Sequence, residues 1–354
     1  MTVEVDVVGE AESFLVCGPR QVELRFSDGE TRTIEVGEGE TVLAAAKRSG
    51  HNLASQCEVG TCCTCVAWLQ GGIAEMPEGQ VTNLTRAEIA SGQRLLCQTR
   101  VGSQVAAFDL EYPSSVLTGY PTLTFSAKIQ RITWVAQSVV QLDLKVPRAA
   151  RFQFLAGQYC RIRVPGTEEW RSYSMASGEH EQGRLSFLIR VLPSGAMSDY
   201  LRSDARPGAI LDMEGPVGGF VLEPSTRPHI LVAGGTGLAP MLSMLDKIRL
   251  VRPTPPVLLV FGCSREAGLF LRDELEARQS FMPTLEVRIA LSEPGDAPGV
   301  LRGNPVGVLR PEDVRPDSVA YLCGPHGMVS AAETRLIDFG LEARDVRSEQ
   351  FIAS

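Results

Sequence analysis

The sequence predicts a multidomain α+β chain: a β-grasp segment built round four cysteines, an antiparallel β-barrel, and an α/β segment on a parallel sheet. Three observations lead there. Four cysteines are grouped at ligand spacing near the front of the chain, short alternating strands crowd its middle, and apolar strands alternating with helices fill its end. At 354 residues the chain is also too long for one ordinary core.

In the front segment, QVELRFSDGETRTIEV alternates like a strand pair round a Ser27–Gly29 turn. TVLAAAKRSG then reads as a helix stopped at Gly50. Cys57, Cys62 and Cys65 follow as C-x4-C-x2-C, and Cys97 comes after a 31-residue gap, on a strand expected over RLLCQT. This is the ligand spacing of a plant-type [2Fe–2S] cluster, and Gly60 lets backbone N–H groups approach it. A zinc ribbon needs two C-x2-C knuckles, and only one is present. Cys63 is one register off the ligand spacing and is read as a non-ligand. A last strand is expected near Val105–Leu110, and YPSSVLTGYP reads as a linker. The expected domains are 1–112 for the cluster, a linker at 113–121, a barrel at 122–226 and a nucleotide-binding domain at 227–354.

FSAKIQRITWV, VVQLDLKV, QYCRIRV and RLSFLIRVL are the short strands of the barrel. PHILVAGG, PVLLVFG, LEVRIAL and VAYLCG are Val-, Ile- and Leu-rich runs, as buried parallel strands should be, with helical stretches such as LAPMLSMLDKIRL between them. That alternation is an α/β nucleotide-binding layout.

Composition narrows the function. With 44% hydrophobic and 21% charged residues the chain reads as an ordinary globular protein. No apolar run approaches the ~20 residues of a membrane span, and the acidic start lacks the marks of a signal peptide. Nine cysteines without an export signal point to reduced thiols in the cytoplasm. Residues 1–112 hold 16 acidic and 8 basic side chains, while the remainder holds 26 of each. An acidic front argues against nucleic acid. It fits either a docking face for a partner with basic groups round its own redox centre, or a merely solvated surface.

The middle and end segments carry further motifs. Arg171-Ser172-Tyr173-Ser174 closes a strand, and Gly195-Ala196-Met197-Ser198 opens a helix, where backbone N–H groups and a hydroxyl can meet an anion. Gly234-Gly235-Thr236-Gly237 follows an apolar strand and opens a helix, letting the backbone approach a pyrophosphate. The last apolar strand ends Cys323-Gly324-Pro325. Alone, each has a plainer reading: surface decoration, a helix cap, a structural turn, a buried thiol. Together they resemble the ferredoxin–NADP reductase superfamily, with its R-x-Y-[ST], GGTG-x-x-P and C-G-P motifs.

That resemblance implies Arg171 on the flavin pyrophosphate, Tyr173 stacked on the isoalloxazine and Ser174 near its N5. Such roles suit a forked cation and a flat aromatic face. It further implies Gly195, Met197 and Ser198 at a second phosphate contact, and GPVGGF (215–220) as the turn closing the flavin domain. Gly234–Gly237 would receive the dinucleotide, Cys323-Gly324-Pro325 the nicotinamide, and Arg265 the adenosine ribose. Glu349-Gln350-Phe351 resembles the family's terminal motif, in which an aromatic ring covers the flavin. Phe351 read without the family is a hydrophobic residue pinning a terminus. Asp273 and Glu274 would repel a 2′-phosphate, which favours NADH.

An N-terminal ferredoxin followed by FAD and NAD domains is similar to the benzoate and anthranilate dioxygenase reductases and to soluble methane monooxygenase reductase. The resemblance covers nearly the whole chain from about residue 20. It implies FAD rather than FMN, and electrons passing from NADH through FAD and the cluster to a Rieske or di-iron oxygenase. It places Ser174, Cys323 and Phe351 at the hydride-transfer site of a monomer with no nucleic-acid or membrane partner. One departure is Glu58, where many relatives have Arg. Alternatives are the reductase of a deoxysugar dehydrase, a stand-alone NAD(P)H:ferredoxin-type reductase, and a cysteine-based sensor, which would have no use for the flavin motifs. Cys17, Cys160 and Cys263 read as core or surface residues.

Overall fold

The first sheet forms where polar and apolar residues alternate. Strands β1 (Arg20–Phe26) and β2 (Thr31–Val36) pair antiparallel from Arg20↔Val36 to Arg25↔Thr31. Val22, Leu24, Ile34 and Val36 thereby share one buried face. The structure is a computed structural model, and it describes residues 19–351 except 52, 56–57, 61–62, 78, 80–81, 115–116, 118–119, 224, 294 and 296. Cys17, Cys57 and Cys62 lie outside the described residues.

Helix α1 (Val42–Arg48) begins at Thr41, whose hydroxyl accepts from the Ala44 N–H at 3.3 Å. Gly50, at φ +79°, follows its end. Strands β3 (Val66–Gly71) and β4 (Ala74–Glu75), helix α2 (Arg86–Ala90), and strands β5 (Gln93–Leu95), β6 (Arg100–Val101) and β7 (Val105–Leu110) complete this part. The sheet order is β2-β1-β7-β3-β5, with β1 and β7 parallel, a β-grasp arrangement. Cys97 is not on a strand as expected. The β3–β5 ladder ends at Val66↔Leu95, and the chain then turns, the Gln98 and Thr99 N–H groups both donating to the Leu95 carbonyl.

Strands β8 (Leu123–Ala136), β9 (Val139–Lys145), β10 (Tyr159–Arg163), β11 (Trp170–Ser174), β12 (Arg184–Arg190) and β13 (Ile210–Val217) form an antiparallel sheet in the order β11-β10-β13-β8-β9-β12. A Met175↔Phe187 bridge joins its two edges into a barrel. Helix α3 (Ala196–Ser203) lies between β12 and β13 in sequence and buries Met197 and Leu201 in the barrel core.

The last sheet is parallel throughout: β14 (His229–Gly234), β15 (Val257–Cys263), β16 (Leu285–Leu291), β17 (Leu301–Arg302), β18 (Val319–Pro325) and β19 (Val346–Phe351), in the order β17-β16-β15-β14-β18-β19. Helices α4 (Leu238–Ile248) and α5 (Arg272–Phe281) contribute to the core on one face, and α6 (His326–Asp338) to the core on the other. Every residue of β14 and β15 is buried, which is why both read as unbroken apolar runs. No helix among the described residues is long and apolar enough to cross a membrane.

The three parts touch directly. Val221 belongs to the buried core of the first sheet, and Leu155 packs against it. Ser27 Oγ donates to Glu223 at 2.7 Å, and Glu223 also accepts from Arg347 at 3.4 Å. Tyr112, at the head of the expected linker, is buried: its ring meets Phe26 edge-on at 5.9 Å and its hydroxyl accepts from the Ala54 N–H at 3.2 Å.

Candidate functional site

Two of the expected cluster ligands stand side by side. Cys65 lies immediately before β3 and Cys97 two residues beyond β5, and the Leu96 N–H donates to the Cys65 carbonyl at 2.9 Å. Cys65 is buried and Cys97 half-buried at the same core. Among the described residues of this loop, the non-glycine residues Glu58 and Cys63 have φ of +56°, a backbone state that costs a side chain about 1 kcal/mol or more. Gln98 steadies the loop by donating its amide to the Val59 carbonyl at 3.0 Å. Glu58 is exposed and ion-paired with Lys47. Two cysteines brought together from the end of the loop and from the turn after β5 fit an iron–sulfur cluster, and Cys57 and Cys62 are proposed to complete the set.

The flavin motif lies on β11 at the edge of the barrel. Arg171 is half-buried, its guanidinium against Glu169 at 2.6 Å, and Tyr173 presents a half-buried ring whose burial raises its hydroxyl pKa. Ser174 is buried and donates to Glu349 Oε2 on β19 at 3.2 Å. Glu349 keeps some exposure along its strand, but its carboxyl is enclosed, and burial pushes it up to about 7, offset in part by the Ser174 hydrogen bond. Glu349 is the register partner of Cys323 on β18, a buried thiol that burial pushes well above its ordinary pKa. Ser174, Cys323 and Glu349 thus converge where barrel meets parallel sheet. Phe351 pairs in register with Pro325 on that edge and packs, half-buried, against the core of the parallel sheet.

Of the terminal motif Glu349-Gln350-Phe351, the sequence marks Phe351 as a site residue and not Glu349. The signal that would have found it is period two: Glu349 and Phe351 share one face of β19.

Helix α3 begins at Gly195, φ +137°, leaving the first N–H groups without intrahelical partners and suited to an anion. Ser198 Oγ accepts from the Leu192 N–H at 3.0 Å, and its proton is the part that can meet an anion. Met197 is a core side chain and has only its backbone to give. At the other motif, Gly234 ends β14 and Gly235–Gly237 form a 3-10 turn into α4. A Cβ on Gly237 would stand 2.2 Å from the Cys323 carbonyl oxygen, so glycine is what lets this turn close on the Cys323-Gly324-Pro325 strand end. Beside Gly235, by contrast, space is open, leaving a cradle a dinucleotide can enter. Arg265 is exposed, with Nε 2.9 Å from both carboxylate oxygens of Glu293. That acid, invisible as a neighbour in sequence, would oppose a 2′-phosphate held at Arg265. The cation, aromatic ring, hydroxyl and unpaired N–H groups fit a flavin dinucleotide.

The comparisons agree with this division. Residues 25–102 match the 2Fe-2S iron-sulfur cluster binding domain, 126–222 the oxidoreductase FAD-binding domain and 231–334 the oxidoreductase NAD-binding domain. The chain is 35% identical over 335 residues to the anthranilate 1,2-dioxygenase electron transfer component of Acinetobacter baylyi, covering 94% of this chain and 97% of the relative. It is 36% identical over 307 residues to methane monooxygenase component C of Methylosinus trichosporium, covering 82% and 86%. Among solved structures, a cytochrome P450 reductase from Amycolatopsis superposes with a TM-score of 0.69 at 27% identity, covering 94% and 98%. The chain therefore belongs to the family of three-domain iron–sulfur flavoprotein reductases, oxidoreductases that use a [2Fe–2S] cluster, FAD and NADH to serve oxygenases as electron transfer components.

Proposed function

We propose that this chain is the NADH-dependent reductase of a bacterial multicomponent oxygenase and hands electrons to a Rieske dioxygenase or di-iron monooxygenase in aromatic or related catabolism. When bound, the flavin takes up a hydride and the cluster carries single electrons. The chain's own residues then hold and orient: Arg171, Tyr173 and the α3 N-terminus the flavin, Gly234–Gly237 and Arg265 the coenzyme. Ser174 and Glu349 hold a proton at the crossing of barrel and sheet, Cys323 supplies a dry wall, and Phe351 guards the entry. The four cysteines ligate the cluster, within domains at 1–112, 122–226 and 227–354. Excess acid in residues 1–112 suits a partner with basic groups round its redox centre. We place the protein in the cytoplasm as a monomer.

The observation carrying this reading is the Ser174–Glu349 contact, which brings the flavin strand of the barrel onto the Cys323 end of the nucleotide-binding sheet. The test is reconstitution: purified protein, NADH and a Rieske dioxygenase or di-iron monooxygenase stripped of its own reductase should form hydroxylated product. Product formation that proceeds equally without this protein defeats the assignment.

A further inference from the structure

The buried inner edge of the cluster loop touches the barrel one strand away from the flavin motif. Tyr159 is the first residue of β10, is 2% exposed and pairs in register with Ser174 on β11. Its hydroxyl donates to the Ser55 carbonyl oxygen at 3.1 Å, two residues before Cys57. Three features seat this contact. Gln158 donates to the Gly218 carbonyl at 3.1 Å, a Cβ on Gly218 would meet the Tyr159 ring at 2.7 Å, and one on Gly219 would meet the Ala54 Cβ at 2.5 Å. The Gly218–Gly219 turn is therefore shaped to admit both the Tyr159 ring and the Ala54 methyl group. Ser55 is 7% exposed, whereas Glu58 and Val59, a few residues on, face solvent, Val59 at 60%.

We propose that Tyr159 is a positioning residue for the internal electron transfer. It clamps the inner edge of the cluster loop to the barrel beside Ser174, while the outer edge, Glu58 and Val59, faces solvent, where the acceptor approaches. The loop is then loaded and discharged from opposite sides while the ferredoxin domain stays docked. This rests on the reading that the flavin lies along β11, and it adds a residue to which no cofactor contact is assigned above. In the step it governs, one electron leaves the reduced flavin and one ferric iron of the cluster becomes ferrous.

The test uses the holoprotein and two variants: Tyr159→Phe, which removes only the hydroxyl, and Gly219→Ala, which disturbs the seat without touching Tyr159. Visible absorbance should show full flavin and cluster content in both, and stopped-flow bleaching of the flavin by NADH should match wild type. Cluster reduction, followed by freeze-quench electron paramagnetic resonance, should slow about fivefold in Tyr159→Phe, the scale of one lost buried hydrogen bond. Amide hydrogen exchange over residues 53–60 should rise by a similar factor in both variants. Cluster reduction within twofold of wild type in Tyr159→Phe overturns the proposal, whatever exchange does. Flavin bleaching that slows in parallel with cluster reduction also overturns it, by placing Tyr159 at the flavin site. Loss of flavin in Arg171→Ala tests the flavin reading separately.

Discussion

Ser174 and Glu349 stand 175 positions apart and meet at 3.2 Å, the serine hydroxyl donating to the carboxyl oxygen. The contact joins barrel to parallel sheet, and it leaves an acid near neutrality beside a buried thiol. Burial raises Glu349 from an ordinary 4.5 to about 7, so the folded protein prefers its protonated form. Because the folded state binds that proton more tightly than the unfolded chain, this stabilisation is complete below 4.5 and is lost as pH rises through 7. Glu349→Gln, permanently neutral, should melt with the wild type at acid pH and be more stable by about 1–3 kcal/mol at pH ~8. Flavin reduction by NADH should slow in the variant and lose its pH dependence near neutrality. Melts and stopped-flow across pH check both.

Cluster ligation divides the loop cysteines. Cys57→Ser, Cys62→Ser, Cys65→Ser and Cys97→Ser should each lose the cluster bands in visible absorbance, while Cys63→Ser keeps them. NADH-to-ferricyanide activity should survive in all five variants. Loss of the cluster in Cys63→Ser with retention in Cys62→Ser would shift the ligand register by one.

Arg171→Ala should weaken flavin binding ten- to hundredfold, the ~1.5–3 kcal/mol of a charge-assisted contact. Flavin content after dilution to submicromolar protein measures it, and chromatography of the extracted flavin should show FAD.

Coenzyme choice should rest on Glu293. Wild type should prefer NADH, and Glu293→Gln should narrow that preference about tenfold by removing the charge facing a 2′-phosphate next to Arg265. Phe351→Ala should change nicotinamide affinity and hydride-transfer rate with fold and cluster intact. Stopped-flow flavin reduction with NADH and NADPH decides both, and a wild-type preference for NADPH would reverse the assignment.

Much of this was legible in the chain because local pattern and local structure coincide. Leu231 and its neighbours on β14 are buried on both faces and therefore read as a continuous apolar run, and the β1–β2 hairpin shows its period of two. Contacts of long sequence separation were not legible. Glu349 and Glu293 acquire meaning only from Ser174 and Arg265, and the Tyr159–Ser55 bond spans 104 positions. RLLCQT predicts a strand through Cys97 because it keeps an apolar character through a turn whose reversal is set by hydrogen bonds to Leu95.

The most direct test of the account is an anaerobic stopped-flow experiment mixing the protein with NADH and then with its oxidised oxygenase. The flavin band should bleach first, the cluster should reduce next, and the cluster should reoxidise as the oxygenase's metal centre gains electrons. Cys97→Ser should stop at flavin reduction. A Cys97→Ser protein that reduces the oxygenase at the wild-type rate would contradict delivery through the cluster.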